Sequence, residues 1–307
     1  MFKGFFNRMY NGNPNRPDIN PDDMPKNRFE LFFTTLGIRI GDLIKLNLLF
    51  VLFLLPFLLW TAWSFIALNA ALSGLETSML QSNSSEAMRL MLGHIQVYLY
   101  GLVIVLPLAG PPLAGLTYVT RNYARDEHAW LWSDFKEQMK KNWKQSAAAM
   151  LVLALVLVLV FLTLNAYAVA MQSTSWMWIM QILFIVFVGL FILSYMYVFP
   201  MLVTYKLKLG QVFRNSLMLA LGRLPFTVLF GIMAVFPFLL AFLLVIINFT
   251  IINYVLLGIV LYFLLLGFSL TTFIMNSYTN ATFDKLMRTD DDPQPPEGDG
   301  GDKTVMP

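Results

Sequence analysis

The sequence predicts an all-α membrane protein, a polytopic bundle of six transmembrane helices with both chain ends on the cytosolic side. The first observation is composition: 58% of the residues are hydrophobic and 13% are charged, which is far from the balance of a soluble domain. The second is a series of long apolar runs, each able to cross a hydrocarbon core of about 30 Å as a helix. The predicted spans are residues 46–71, 97–120, 147–171, 176–204, 224–248 and 251–276.

The third observation is the distribution of lysine and arginine, which predicts the orientation. In chain order, the segments outside the spans carry seven, one, six, none, four, none and three of the 21 basic residues. Positive charge is retained in the cytosol during insertion, so the four segments that hold all of them except Arg89 are predicted to be cytosolic. Both termini then lie inside the cell.

The chain divides into three parts. Residues 1–27 are rich in Asn, Pro and Asp, which predicts a flexible arm. Residues 28–288 form the six-span membrane domain, and its first segment, 28–45, has the pattern of an amphipathic helix lying on the inner leaflet. Residues 289–307 combine Asp, Pro and Gly and cannot bury apolar surface, which predicts a disordered acidic tail.

Two segments between spans predict short cytosolic helices at the membrane interface. In 130–143 and 209–221, apolar residues recur near helical spacing among basic and polar ones. The predicted outer connections are short apart from the first, so we expect a partner to bind on the cytosolic side. The residues predicted to form that partner surface are Trp132, Phe135, Met139, Trp143, Phe213 and Leu217.

The second span contains an unusual stretch, LPLAGPPLAG, at 106–115. Pro111 and Pro112 remove two backbone donors, and Gly110 and Gly115 loosen the helix. One interpretation is a helix break or hinge of the kind that forms substrate sites in transporters. The alternative is a simple kink or a tight bend that packs closely against its neighbours.

Residue types that usually carry chemistry are scarce in the spans. The chain has no cysteine, which excludes disulfides and thiolate chemistry. The predicted spans hold no Asp, Glu, Lys, Arg or His, which argues against proton-driven transport. No phosphate-binding loop, zinc-binding motif or nucleophile elbow is present. We therefore expect a protein that is not an enzyme and has no catalytic, cofactor-binding or metal site.

The basic residues lie in short segments next to the membrane. Anionic lipid headgroups attract such segments, whereas a nucleic-acid surface would need a basic patch on a soluble part of the chain. We therefore expect membrane lipids as partners and no nucleic acid.

Three stretches together resemble the YesL-like family of bacterial membrane proteins, which is named for a domain of unknown function. They are LIKLNLLFVLFLLP at 43–56, LPLAGPPLAGLTYVTRNYARDEHAWLWSDFKEQMKKNWKQS at 106–146, and FPMLVTYKLKLGQVFRNSLMLALGRLP at 199–225. The resemblance implies location in the bacterial cytoplasmic membrane. Family members are often encoded beside carbohydrate-uptake ABC transporters, which implies a link with sugar import, and the family supplies no catalytic or ligand-binding residues.

The residues and the resemblance leave two functions open. The first is a non-enzymatic accessory component of a membrane complex, with subunits of a carbohydrate ABC importer as the expected partners. The alternative is a transporter or permease that moves a small solute through the helix bundle and uses the stretch 110–115.

Overall fold

A computed structural model describes residues 28–73, 84–172, 174 and 176–286. Within these ranges the chain is helical apart from short turns. The arm predicted at 1–27 and the tail predicted at 289–307 lie outside the described residues. The all-α prediction is confirmed for the part of the chain that the structure covers.

Six helical segments of the described chain are long and apolar enough to cross a membrane. They are α1 (Arg28–Ser73), α2 (Ser84–Tyr123), α4 (Trp143–Ala170), α5 (Met177–Thr204), α7 (Leu224–Ile247) and a composite sixth segment. This last segment consists of α8 (Ile252–Tyr262), a π-helical turn (Phe263–Gly267) and α9 (Phe268–Leu286), and a 3₁₀ turn (Phe249–Ile251) precedes it. Two short helices, α3 (Leu131–Lys141) and α6 (Leu209–Gly222), connect long ones. The six-span architecture is thereby confirmed.

One end of the bundle collects most of the charge, and we call it the basic end. It comprises the starts of α1, α4 and α7, the ends of α2, α5 and α9, and the helices α3 and α6. The rings of Phe32 and Phe273 stack at 5.2 Å there, and the Arg125 guanidinium lies 3.2 Å from the Asp284 carboxylate. Both ends of the described chain therefore meet at the basic end, and its cytosolic location remains a prediction.

The first helix differs from the sequence prediction. Segment 28–45 is not a separate helix on the membrane surface, because α1 runs without interruption for 46 residues, or about 70 Å at about 1.5 Å per residue. That is more than twice the thickness of a hydrocarbon core of about 30 Å. Part of the segment packs on protein: Leu43 is fully buried, and Arg39 lies over the Tyr123 ring at 5.1 Å. Phe29, Phe33 and Ile38 stay exposed.

The sixth segment is held to α1 by a buried asparagine. Asn47 is completely buried; its side-chain amide donates to the carbonyl oxygens of Phe263 at 2.9 Å and Leu264 at 2.8 Å. Its own carbonyl oxygen accepts from the Ser269 backbone N–H at 3.0 Å. A π-helical turn displaces carbonyls from the regular hydrogen-bond ladder, and Asn47 supplies the donors. Because these groups are buried, their hydrogen bonds hold the two helices against each other.

Candidate functional site: a groove at the basic end

The double-proline stretch lies in the middle of a continuous helix. Helix α2 extends from Ser84 to Tyr123 with Pro107, Pro111 and Pro112 inside it. The described helix has no interruption at this stretch, and its use as a hinge stays a prediction. The described backbone instead agrees with the alternative, in which the stretch packs closely against its neighbours.

The two glycines of this stretch allow that close packing. A Cβ atom at Gly110 would collide with the backbone of Ser146 and Ala147 at the start of α4, and one at Gly115 would lie 2.7 Å from the Phe135 carbonyl oxygen in α3. Both neighbours are backbone atoms, which cannot move aside as a flexible side chain can. The glycines therefore set how closely α2 approaches the α3–α4 corner, the junction where α3 ends at Lys141 and α4 begins at Trp143.

The prolines change the backbone chemistry of the same stretch. Proline has no N–H, so the carbonyl groups of Pro107 and Leu108 lose the donors that Pro111 and Pro112 would have supplied in a regular helix. Helix carbonyls point toward the helix C-terminus, which for α2 is the basic end. Two carbonyl oxygens deprived of their helical donors thus point toward that end from positions 107 and 108.

An open groove of about 400 Å³ lies between α1, α2 and the α3–α4 corner. This volume is in the range of ligand sites, about 300–1,000 Å³. Aliphatic, aromatic and proline side chains form most of its lining, with one lysine. The lining residues are Phe53, Leu108, Pro111, Pro112, Met139, Lys140 and Trp143.

The groove joins two features that the sequence presented separately. Pro111 and Pro112 came from the predicted hinge, and Met139 and Trp143 from the predicted partner surface. The structure places all four around one cavity. Gly110 and Gly115 lie behind it, where they hold α4 and α3 close to α2.

The buried face of α3 holds the corner in place. Phe135 is completely buried, and Gln138 is 5% exposed; the Phe135 ring lies 5.8 Å from that of Phe53. At the junction, the Asn142 amide donates to the Gln138 side chain at 3.1 Å, and the Ser146 hydroxyl donates to the Asn142 carbonyl at 2.8 Å. Met139, one turn after Phe135 at the edge of this buried face, and the exposed Lys140 line the groove.

The rim of the groove is cationic. Lys140 is exposed, and among the described residues no acidic side chain forms an ion pair with it. Nearby, the Lys136 ammonium lies 5.7 Å from the ring centre of Trp132, and that of Lys144 lies 5.6 Å from the ring centre of Trp143. These cation–π contacts stabilise the two ammonium groups and leave their positive charge in place.

The predicted partner surface is only partly exposed. Trp132 and Trp143 are 53% and 55% exposed and are available for contact. The prediction is wrong for Phe135, because its side chain belongs to the core between α1, α2 and α3. Met139 is half-buried in the groove wall.

On α6 the residues named from the sequence face inward. The Phe213 ring packs 6.0 Å from that of Phe191 and 5.8 Å from that of Tyr195, and Leu217 is half-buried. The exposed residues recur at helical spacing on a different face of α6. They are Gln211, Arg214, Met218 and Leu221, and we call them the α6 face.

A layer of buried polar groups joins the long helices at the basic end, and the sequence interpretation did not include it. The Tyr197 hydroxyl lies 2.9 Å from the Thr227 hydroxyl and donates to that of Tyr278 at 3.0 Å. The Asn276 amide donates to the Thr117 carbonyl at 3.0 Å and to the Thr120 hydroxyl at 2.8 Å. The first set of contacts joins α5, α7 and α9, and the second joins α9 to α2.

The six long apolar helices indicate a multi-pass helical membrane protein. Residues 43–166 match the family model described as "Protein of unknown function, DUF624", which supports a family whose function is not known. The matched region contains all seven residues that line the groove. No curated protein and no solved structure matches the chain. Within the described residues, no group of three or more His, Cys, Asp or Glu side chains could hold a metal ion.

Proposed function

We propose that this protein is a non-enzymatic accessory component of a membrane complex and that it binds its partner at the basic end. The observation that carries the proposal is the α6 face. It presents two polar and two apolar side chains together on one helix, with Met218 56% and Leu221 48% exposed. A mixed surface of this kind, on the side predicted to be cytosolic, suits contact with another protein subunit better than contact with acyl chains.

The α6 face is mounted rigidly. Val212, Ser216 and Ala220 are completely buried on the opposite side of the helix. Where α6 ends, the Arg223 guanidinium donates to the Thr282 hydroxyl of α9 at 3.1 Å. A partner that binds the α6 face would therefore meet a preformed surface, and binding would cost little conformational entropy in α6.

For the identity of the partner we propose a subunit of a carbohydrate ABC importer. The support is the resemblance to the YesL-like family, whose members are often encoded beside such importers. The third stretch of that resemblance, 199–225, contains the whole of α6. The protein would then act beside the importer in the bacterial cytoplasmic membrane.

The alternative of a transporter has less support. It relied on a broken helix at 110–115, and α2 is continuous there. The space beside Gly110 and Gly115 is filled by the backbones of α4 and α3, which does not support a path lined by these residues.

Site-specific photo-cross-linking in native membranes tests the proposal. A photoreactive residue at Met218 should cross-link to an importer subunit, which mass spectrometry of the adduct would identify. The matched control is Phe242 in α7, which is 67% exposed on an apolar helix and should cross-link to lipid. Only lipid adducts at both positions would contradict the proposal. Uptake of a labelled sugar by liposomes that contain the purified protein alone would favour the transporter instead.

A further inference from the structure

We propose that the groove at the basic end is a binding site for one anionic phospholipid, with the phosphate at Lys140 and an acyl chain along Leu108 and Phe53. This site is independent of the partner contact at the α6 face. It uses different helices, namely α1, α2, α3 and the start of α4.

The depth of the groove matches the boundary between headgroups and acyl chains. Gly110 packs on Ser146 in the first turn of α4, so the double proline lies level with the start of that span. Trp143 and Lys144 mark this level as the interface, because indoles and lysines favour the headgroup region. Leu108 precedes the double proline in α2 and so lies farther from the basic end. Its side chain is 55% exposed, and at this depth it faces hydrocarbon.

Charge complementarity selects the headgroup. Over 130–146 the chain carries Lys136, Lys140, Lys141 and Lys144 against Asp134 and Glu137. The Asp134 carboxylate accepts a hydrogen bond from the Trp130 backbone N–H at 2.8 Å, which partly satisfies it. The positive excess at the rim favours a phosphodiester with net negative charge over a zwitterionic headgroup.

The backbone supplies acceptors that complement the lysine. The carbonyl groups of Pro107 and Leu108 lack their helical donors and point toward the basic end, which is the direction of the headgroup. In a membrane such groups need a donor from protein, water or ligand. Hydroxyl groups of a phosphoglycerol headgroup, or the water that hydrates it, are donors of this kind.

Native mass spectrometry of the full-length protein in detergent tests the headgroup contact, with phosphatidylglycerol and phosphatidylcholine titrated in parallel. Phosphatidylglycerol should be retained more strongly, and Lys140→Gln should weaken its binding about five-fold, which corresponds to about 1 kcal/mol for one lysine. The control Lys141→Gln removes the same charge from the adjacent position, which does not line the groove. Equal losses in the two variants, or equal retention of the two lipids, would overturn the proposal.

A second pair of variants tests the position of the acyl chain. Leu108→Trp places bulk in the groove, and Ile104→Trp places it one turn away on the same helix, at a residue that is 75% exposed and outside the groove. Both changes are on the surface, so neither should prevent folding. Phosphatidylglycerol retention should fall at least five-fold in the first variant only, and unchanged retention in both would place the lipid elsewhere.

Discussion

The two ends of the bundle are packed in different ways, although six long apolar segments run between them. Helix α5 shows the contrast within one element: Tyr197, near the basic end, is completely buried, whereas Phe187 in its outer half is 65% exposed. The largest fully buried side chains of the described chain, among them Tyr123, Phe135 and Phe273, belong to the basic end. The tight side-chain packing of the fold is therefore concentrated at the basic end.

At the opposite end, the side-chain hydrogen bonds between described helices join α1 to α2. There the Trp60 indole N–H donates to the Tyr98 carbonyl at 3.2 Å, and the Ser64 hydroxyl lies 2.9 Å from the His94 ring nitrogen. Both contacts join α1 to α2. In the membrane, lipid covers the exposed halves of α4, α5 and α7, and lipid tails are as apolar as the side chains they contact. Burial of apolar surface therefore provides no free-energy gain for these helix halves to pack against one another.

The sharpest test of this comparison replaces one large aromatic residue at each end. Phe273→Ala should destabilise the protein by about 3–5 kcal/mol, because it opens a cavity in the core and removes the ring that stacks on Phe32. Phe187→Ala should change stability by less than about 0.5 kcal/mol, as exposed positions do. Denaturant unfolding in bicelles would measure both, and similar losses would show that the ends are equally packed.

The close approach of α2 to α4 should be the next most sensitive feature. Gly110→Leu should cost about 3 kcal/mol, since the added side chain would displace the backbone at Ser146. The control is Gly189→Leu in α5, where an added Cβ meets nothing within 4 Å. Unfolding temperatures of the two variants in the same detergent provide the comparison. A stable Gly110→Leu variant would mean that the helices separate without penalty.

Loss of the asparagine that bonds to the π-helical turn should have a smaller effect. Asn47→Leu should destabilise by about 2 kcal/mol, because the Phe263 and Leu264 carbonyls lose a donor in a buried site. Asn69→Leu is the matched control, since the Asn69 amide bonds only within its own helix and is exposed. Hydrogen exchange of the amides in α9 would show whether the turn has loosened. Unchanged exchange in both variants would refute a role for Asn47 at the turn.

The polar layer should give the smallest measurable change. Tyr197→Phe removes one hydroxyl and its contacts with Thr227 and Tyr278, and interhelical hydrogen bonds in membranes contribute about 0.6–1.7 kcal/mol. We expect a loss of about 1 kcal/mol by the same unfolding assay. Tyr254→Phe, at a residue that is 77% exposed, should lose nothing. An unaffected Tyr197→Phe variant would mean that the layer does not stabilise the bundle.

The spans that the sequence located most closely are those bounded by charge or by a tight turn. The predicted 176–204 and 224–248 became Met177–Thr204 and Leu224–Ile247. The predicted 46–71 and 97–120 were too short: α1 begins 18 residues earlier, at the basic end, and α2 begins 13 residues earlier, at the opposite end. Both extensions carry charged residues, such as Asp42 and Arg89, and hydropathy detects only the apolar part of a long helix.

The residues of the groove were predictable in part. The prolines at 111 and 112 and the aromatic pattern of 130–143 were visible in the sequence. Phe53 and Lys140 were not singled out, because neither residue type is unusual in its segment. The inward orientation of Phe135 was also missed, because an amphipathic pattern shows that two faces differ but does not show what covers the apolar one. Two asparagines four residues apart in α9 were a signal for the polar layer: Asn276 belongs to it, and the Asn280 amide donates to the Arg121 carbonyl at 3.3 Å.

The sequence by itself determined the class of protein, the number of spans and the collection of positive charge at one end, because apolar length and charge placement decide how a chain enters a bilayer. The tertiary structure alone decided that α2 stays unbroken, that α1 is a single helix and that α3 closes a groove against the double proline. These outcomes depend on which backbones approach each other, and at Gly110 and Gly115 the partner backbone belongs to another part of the chain.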